Sequence, residues 1–188
     1  PGEIAAAKTA RDQRRQQAQT DFQAWLKTTS ADSLGSDTLN AGLTAHLPLN
    51  EGAGQVAQNR AGTPGSFTAP QEVTWVADGK LGPAPVVSAD SAFDLGELGD
   101  VAKDQSFSCG AWVKVGDKGQ PSSIFARMDE KDGFRGWDLW LNNNSLAVHI
   151  IESWPENSLK MGTEQQVIKP GQWQHLFFSY DGSGKPEG

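Results

Sequence analysis

The chain has 188 residues, which is enough for one domain with a substantial core and an appended segment. A net charge of −7 argues against nucleic-acid binding, because that function requires a basic face. The single cysteine, Cys109, excludes an intrachain disulfide, and no apolar run approaches the roughly 20 residues of a membrane-spanning helix.

Residues 3–28 predict an α-helix, because this segment contains no Gly or Pro and is rich in Ala, Gln, Arg and Lys. Phe22 and Trp25 belong to an apolar stripe at its C-terminal end, which we expect to dock on a neighbouring domain. We assign residues 1–29 to this helix, as the tail of a preceding domain. The Ser-, Thr- and Asp-rich residues 30–41 form a predicted linker.

Residues 42–188 predict an all-β fold, an antiparallel sandwich, because short alternating segments recur between Gly, Pro and Asp without intervening helices. The predicted strands, in chain order, read LTAHLPL, EVTWVA, APVVSA, SAFDLG, SFSCGAWVKV, SSIFARM, GWDLWLN, SLAVHIIES, QQVIK and WQHLFFSY. In SFSCGAWVKV, Phe107 and Cys109 share one face, which we assign to the core, and Trp112 lies on the other.

The final strand, WQHLFFSY, carries apolar residues on both faces, which predicts an interior strand covered on both sides. Trp173, His175 and Phe177 share one face, and we interpret them as packing residues rather than catalytic ones. The Asp-Gly turn that follows predicts a further strand. We therefore expect residues 42–188 to lack the C-terminal strands of the complete domain.

Three segments resemble laminin-G-like, concanavalin-A-like jelly-roll domains, in the order expected of that family. They are GLTAHLPLNEGAGQVAQNRAG, then DGKLGPAPVVSADSAFDLGELGDVAKDQSFSCGAWVKV, then PGQWQHLFFSYDGSG. The resemblance covers residues 42–184 and implies an antiparallel concanavalin-A-like β-sandwich, or jelly roll.

A narrower resemblance rests on RMDEKDGFRGWDLWL and VHIIESWPENSLKM, together with the preceding helix that ends in FQAWL. These segments are similar to planctomycete-type cytochrome-c-linked multidomain proteins. That resemblance implies a module of a longer bacterial protein that is secreted, periplasmic or attached to the cell surface, with a parent linked to a haem-containing enzyme. The chain has no C-x-x-C-H motif, so we expect no haem within it.

Concanavalin-like sandwiches include β-glucanases, which place carboxylates on one sheet face through an E-x-D-x-x-E strand. This chain has no such strand, and its densest acidic cluster, which contains Asp129 and Asp132, lies in a predicted turn. The three histidines lie within alternating strands, which is typical of structural residues. We therefore assign no catalytic residue and do not expect an enzyme, and a glycoside hydrolase stays the second alternative.

The family resemblance also implies that one Ca²⁺ could bind at the rim of the sandwich, where calcium needs about 6–8 oxygen ligands. The candidate ligands are Asp94, Asp129 and Asp132. Where related domains carry an Asp-rich turn, however, this chain reads AQNRAG, in which only Asn59 offers a side-chain oxygen. A solvated acidic loop is the alternative.

Carbohydrate binding requires an exposed aromatic side chain with amides and carboxylates nearby. Trp154 is the candidate aromatic residue, with Glu152, Asn157 and Asn143 as hydrogen-bonding neighbours. The alternative is that Trp154 caps an edge of the sandwich. We therefore predict a non-catalytic module that recognises a polysaccharide or a neighbouring domain of its parent chain. The first alternative is a structural insert that packs on the parent enzyme and binds no ligand.

Overall fold

The computed structural model describes residues 2–29, 41–62, 65–116 and 121–185. The chain divides into two compact units, Pro1–Leu43 and Thr44–Gly188. Residues 30–40, which carry most of the predicted linker, lie outside the described residues.

The first unit contains one α-helix, α1 (Gly2–Thr28), and the predicted N-terminal helix is therefore confirmed. Its polar side chains pair along the helix, as in the 2.7 Å hydrogen bond from Gln17 Nε2 to Asp21 Oδ1. The rings of Phe22 and Trp25 stack with their centroids 5.7 Å apart. The docking of these two rings on another domain stays a prediction. No helix in the described part of the chain is long and apolar enough to cross a membrane.

The second unit is built from antiparallel β-strands. In chain order they are β1 (Val56–Asn59), β2 (Gly65–Thr68), β3 (Thr74–Val76), β4 (Ala84–Val86), β5 (Phe107–Lys114), β6 (Ser122–Asp129), β7 (Arg135–Asn142), β8 (Ser145–Ser153), β9 (Asn157–Gly162) and β10 (Trp173–Tyr180). The pairs β1–β2, β3–β4 and β5–β10 form three small sheets, and β6–β7–β8–β9 form one larger sheet.

Three predicted strands are wrong, and side-chain or backbone competition explains two of them. Within LTAHLPL, the side chain of Asn59 accepts a hydrogen bond from His46 N and donates one to the carbonyl of Thr44, at 2.8 and 3.3 Å. Within QQVIK, the N–H groups of Val167 and Ile168 both donate to the carbonyl of Asn144. Because these backbone groups have partners outside a ladder, neither segment is a strand.

The third wrong prediction is SAFDLG, which begins in a short 3₁₀ turn, Ala89–Ser91. Its later part folds around Asp94, whose Oδ1 accepts a hydrogen bond from Gly96 N at 2.9 Å. An Asp that bonds the backbone two residues further on forms a local turn. The alternating pattern of apolar and polar residues in this segment therefore belongs to a loop.

The hydrophobic core lies between the β5–β10 pair and the four-stranded sheet. Leu139 and Leu141 of β7 pack with Leu176 of β10, and Trp137 of β7 packs with Tyr180. The indole Nε1 of Trp137 donates a 2.7 Å hydrogen bond to the carbonyl of Gly99, which satisfies its polar group inside the core. The predicted core face of β5 is confirmed, since Phe107 and Cys109 pack in this core.

The opposite face of β10 corrects a prediction. Leu176 and Tyr180 are buried, whereas Phe177 is 63% exposed and His175 is also exposed. Within the described residues, β10 pairs with β5 alone. An apolar pattern on both faces does not reveal whether a second layer covers the strand, and the prediction of an interior strand covered on both sides is therefore wrong for the described residues.

Candidate functional site

The outer face of the four-stranded sheet carries a groove beside Trp140. Side chains alternate along β7, so Leu139 and Leu141 enter the core and Trp140 points outward. Trp140 pairs with Ala147 of β8, and Ala147 pairs with Gly162 of β9. These two small residues leave a cavity of about 340 Å³ beside the indole. We name it the sheet groove; its lining includes Trp140, Asn142, Asn143, Ala147, Lys160 and Gly162.

Gly162 keeps the sheet groove open without being required by the backbone. A Cβ added there would lie 3.4 Å from Leu146 O and 3.7 Å from the Cβ of Ala147, which are ordinary contacts. Its φ lies outside the left-handed region. A larger side chain at this position would therefore fill the groove while the strand stays intact.

Asn143 reaches the sheet groove from the turn between β7 and β8. Asn142 pairs with Ser145, which leaves a two-residue loop, and φ is 48° at Asn143 and 65° at Asn144. Positive φ at both positions is the type I′ geometry, for which Asn is well suited. The NNN segment thus forms a tight hairpin turn and presents amide groups at one end of the groove.

A buried hydrogen-bonded pair of side chains, Asp138 and His149, lies next to the groove on the same sheet face. Asp138 pairs with His149 across β7 and β8, and Asp138 Oδ1 lies 2.7 Å from His149 Nδ1. Asp138 is only 4% exposed, and Ser123 Oγ donates to its second oxygen at 3.5 Å. A buried carboxylate needs such partners because desolvation penalises its charge. His149 is thus held by hydrogen bonding.

Trp154 lies at the end of this face opposite to Asn143. It is 44% exposed, and its ring meets the His149 ring edge-on with a centroid distance of 6.3 Å. The backbone N–H of Trp154 donates a hydrogen bond to the carbonyl of Gly133 at 2.9 Å. Since the nine residues of β8 separate Trp154 from Asn143, the two side chains lie about 30 Å apart at 3.3 Å per residue. The structure therefore places these two candidate residues at opposite ends of the sheet face.

Three other candidate residues gather at an open end of the core. Asp129, Asp132 and Glu152 line a cavity of about 380 Å³ together with Arg127 and Arg135. We name this the rim cavity. Arg135 Nε lies 3.5 Å from Glu152 Oε1. Arg127 Nε is buried and has no hydrogen-bond partner within the described ranges. The predicted acidic cluster is thus mixed with cations.

The last two candidates lie outside the lining of this cavity. Asn157 Oδ1 accepts a hydrogen bond from Lys103 Nζ, and Lys103 itself lines the rim cavity. Asp94 holds its own loop, so the structure does not bring it together with Asp129 and Asp132. In the part of the chain that the structure describes, no group of three or more His, Cys, Asp or Glu side chains is placed to hold a metal ion. Calcium binding stays a prediction.

The outer face of the β5–β10 pair carries exposed aromatic residues, among them two, His175 and Phe177, that their sequence pattern had led us to interpret as packing residues. Trp112, which is 43% exposed, pairs with His175, and their ring centroids lie 5.3 Å apart. Lys80 Nζ lies 4.4 Å from the centroid of the Trp112 ring. We name this surface the aromatic strip; it consists of Trp112, Trp173, His175 and Phe177 with Lys80 and Lys114.

Gly110 makes room for the Phe177 side chain of the aromatic strip. Phe177 pairs with Gly110, and a Cβ at position 110 would come within 2.8 Å of Phe177 Cδ2. The absent side chain therefore lets the Phe177 ring lie across β5. The signal available in the sequence was the placement of Trp112 on the face opposite to Phe107 and Cys109, since only one face of a strand could enter the core.

A family model described as concanavalin A-like lectin/glucanases superfamily matches residues 87–185. The chain belongs to this superfamily. No curated protein and no solved structure matches it. The matched range contains β5–β10, and with them the sheet groove, the rim cavity and all of the aromatic strip except Lys80. The predicted fold class, a mostly antiparallel β-structure with one N-terminal α-helix, is confirmed.

Proposed function

We propose that this superfamily member is a non-catalytic carbohydrate-binding module that holds a polysaccharide along the outer face of the four-stranded sheet. The observation that carries the proposal is the sheet groove, in which a partly exposed indole, Trp140, stands beside the small residues Ala147 and Gly162. A sugar ring offers an apolar C–H face that can pack on an indole. Small neighbours leave the space that such a ring requires.

The polar groups around the groove suit the hydroxyl groups of a sugar. The amides of Asn142 and Asn143 each supply donors and an acceptor, and Lys160 supplies donors alone. At the far end of the same sheet face, Trp154 offers a second exposed ring. We propose that an extended polysaccharide contacts both tryptophans, which requires a ligand of several sugar units.

The carboxylates of the described residues favour binding over hydrolysis. Glycoside hydrolysis uses two carboxyl groups on either side of the scissile bond. Asp138 is the carboxylate on the sheet face beside the groove, and it is buried against His149. In the rim cavity, Glu152 pairs with Arg135. Glu152 and Asn157 lie near the end of the sheet that carries Trp154, and we propose them as secondary contacts for a polysaccharide that extends past this ring.

A glycan array of neutral oligosaccharides tests the proposal with a matched pair of variants. Gly162→Leu fills the sheet groove, whereas Gly116→Leu adds the same side chain where a Cβ meets nothing within 4 Å. We expect wild type and Gly116→Leu to bind the same glycans. Gly162→Leu and Trp140→Ala should lower the affinity about tenfold, because both remove the packing surface for the sugar ring.

Two results would contradict the proposal. One is an array on which no glycan is retained, which is what a structural insert packed on its parent enzyme would give. The other is unchanged binding by Gly162→Leu, which would place the site elsewhere. Thermal melts of every variant confirm that the fold is retained.

We also propose that the module works within a longer secreted or envelope-associated bacterial protein of the planctomycete cytochrome-c-linked type. The support is the two motifs and the helix described above, RMDEKDGFRGWDLWL, VHIIESWPENSLKM and FQAWL. The coding sequence on either side of this segment tests the proposal. The absence of an export signal and of the domains typical of that class would refute it.

A further inference from the structure

The aromatic strip is separated from the sheet groove by the core, because the two surfaces are the outer faces of different sheets. Trp112 and Phe177 are exposed on neighbouring strands of this face, and the largest apolar patch on a protein surface is often functional. We propose that the aromatic strip is a second binding surface and that its ligand is an anionic polysaccharide.

Charge identifies the ligand as an anion. None of the four outward positions of β5 or the four of β10 is acidic, although the whole chain carries a net charge of −7. Lys80 Nζ lies 4.4 Å from the Trp112 ring centroid and Lys114 Nζ lies 5.6 Å from that of Trp173. Within the described ranges, no ion pair joins either lysine to a carboxylate. Neither cation is neutralised by a carboxylate of these residues, so both can pair with an anionic ligand from their positions over the rings.

The size of the strip favours a single polymer chain over a protein. Two strands about 4.8 Å apart and eight residues long give a strip roughly 10 Å wide and 27 Å long, or about 270 Å². A stable protein–protein interface needs about 800 Å² on each partner. The strip offers about a third of that area, and its length matches an extended chain of several sugar units.

The rings present a surface suited to sugar rings that carry acidic groups. The Phe177 ring lies across Gly110, so Phe177 and Trp112 stand on neighbouring strands of one sheet face. The C–H face of a pyranose can pack on such rings, while a carboxylate at its edge can pair with Lys80 or Lys114. The strip thus recognises two features that a uronic acid polymer combines.

Calorimetric titration of the protein with polygalacturonate tests this inference, with fully methyl-esterified polygalacturonate as the neutral control on the same backbone. We expect the acidic polymer to bind and the ester to bind at least about fivefold more weakly, because the ester cannot pair with the lysines. Trp112→Ala should weaken binding about tenfold. The double variant Lys80→Gln, Lys114→Gln should reduce the preference for the acid.

The groove variant Gly162→Leu separates this inference from the proposed function, since it should leave polygalacturonate binding unchanged. The inference is overturned if polygalacturonate does not bind, if acid and ester bind equally, or if Trp112→Ala has no effect. It is also overturned if single-stranded DNA binds more tightly than polygalacturonate. Sedimentation that shows a dimer dissociated by Phe177→Ala would overturn it too, by identifying the strip as a self-association surface.

Discussion

The substitution Tyr180→Phe isolates a pair of hydrogen bonds that tie the end of β10 to two loops. The Tyr180 hydroxyl donates to the carbonyl of Lys103 at 2.5 Å and accepts from Gly184 N at 2.8 Å. The residue is 4% exposed, and its ring packs edge-on against Phe107 at 6.0 Å. Phenylalanine keeps this ring packing, so the variant removes the hydroxyl alone.

The expected cost follows from the two lost partners. A neutral hydrogen bond contributes about 0.5–1.5 kcal/mol net, and a buried group left without a partner costs about 1–3 kcal/mol. We therefore expect the free energy of unfolding to fall by about 2 kcal/mol. For a chain of this length that corresponds to a decrease of roughly 4–8 °C in the melting temperature.

Urea denaturation monitored by tryptophan fluorescence measures this loss. The matched control is Ser179→Ala, which removes the neighbouring exposed hydroxyl and should change the free energy of unfolding by less than about 0.5 kcal/mol. A loss in Tyr180→Phe no larger than that of the control would refute the reasoning. A changed dependence on urea would show instead that the unfolded or native ensemble had changed.

Two further predictions concern titratable groups. Burial raises the pKa of the Cys109 thiol to about 12, so at pH 8 its thiolate fraction should be roughly a thousandfold below that of the unfolded chain. Ellman's reagent should therefore react slowly with Cys109 in the native protein and rapidly in guanidinium. Equal reaction rates in the two states would contradict this prediction. Hydrogen bonds from the Ser183 hydroxyl and then the Ser183 N–H lower the pKa of Asp181 from its ordinary 3.8. A lowered folded-state pKa stabilises the fold above about pH 4, and this contribution is lost as the pH falls through the lowered value. The stability difference between wild type and Asp181→Asn should therefore be constant from about pH 7 to pH 5 and shrink below pH 4, and a difference that persists in acid would argue against the pairing.

The strands of the second unit were predictable where alternation and β-branched or aromatic residues coincide. SFSCGAWVKV and GWDLWLN form β5 and β7, with Phe107 and Trp137 directed into the core as their alternation requires. LTAHLPL shows the limit of such reasoning, because a strand also needs a partner ladder. There the side chain of Asn59 bonds the backbone groups that a ladder would use, and nothing in the local pattern reveals it.

The candidate sites show the same limit. Asn143 and Trp154 were identifiable because each stands beside turn-forming residues in the sequence. The sheet groove was not, because Trp140, Ala147 and Gly162 come together only through the register of three strands. A one-residue shift of that register would turn the indole away from its small neighbours. Register is a tertiary property, so residues that share a groove can be far apart in the chain.

The two proposed surfaces have a joint consequence for the ligands. The core-facing residues of β7 pack against those of β10, as Leu139 and Leu176 do. Trp140 and Phe177, which follow them in the two strands, must therefore point away from each other on opposite outer faces. One polymer segment cannot contact both faces of a sandwich at once. If both proposals hold, the module binds two polysaccharide segments of different charge and links them. The module should then retain a soluble acidic polymer on a matrix of the neutral polysaccharide. Either Gly162→Leu or Trp112→Ala should abolish this retention.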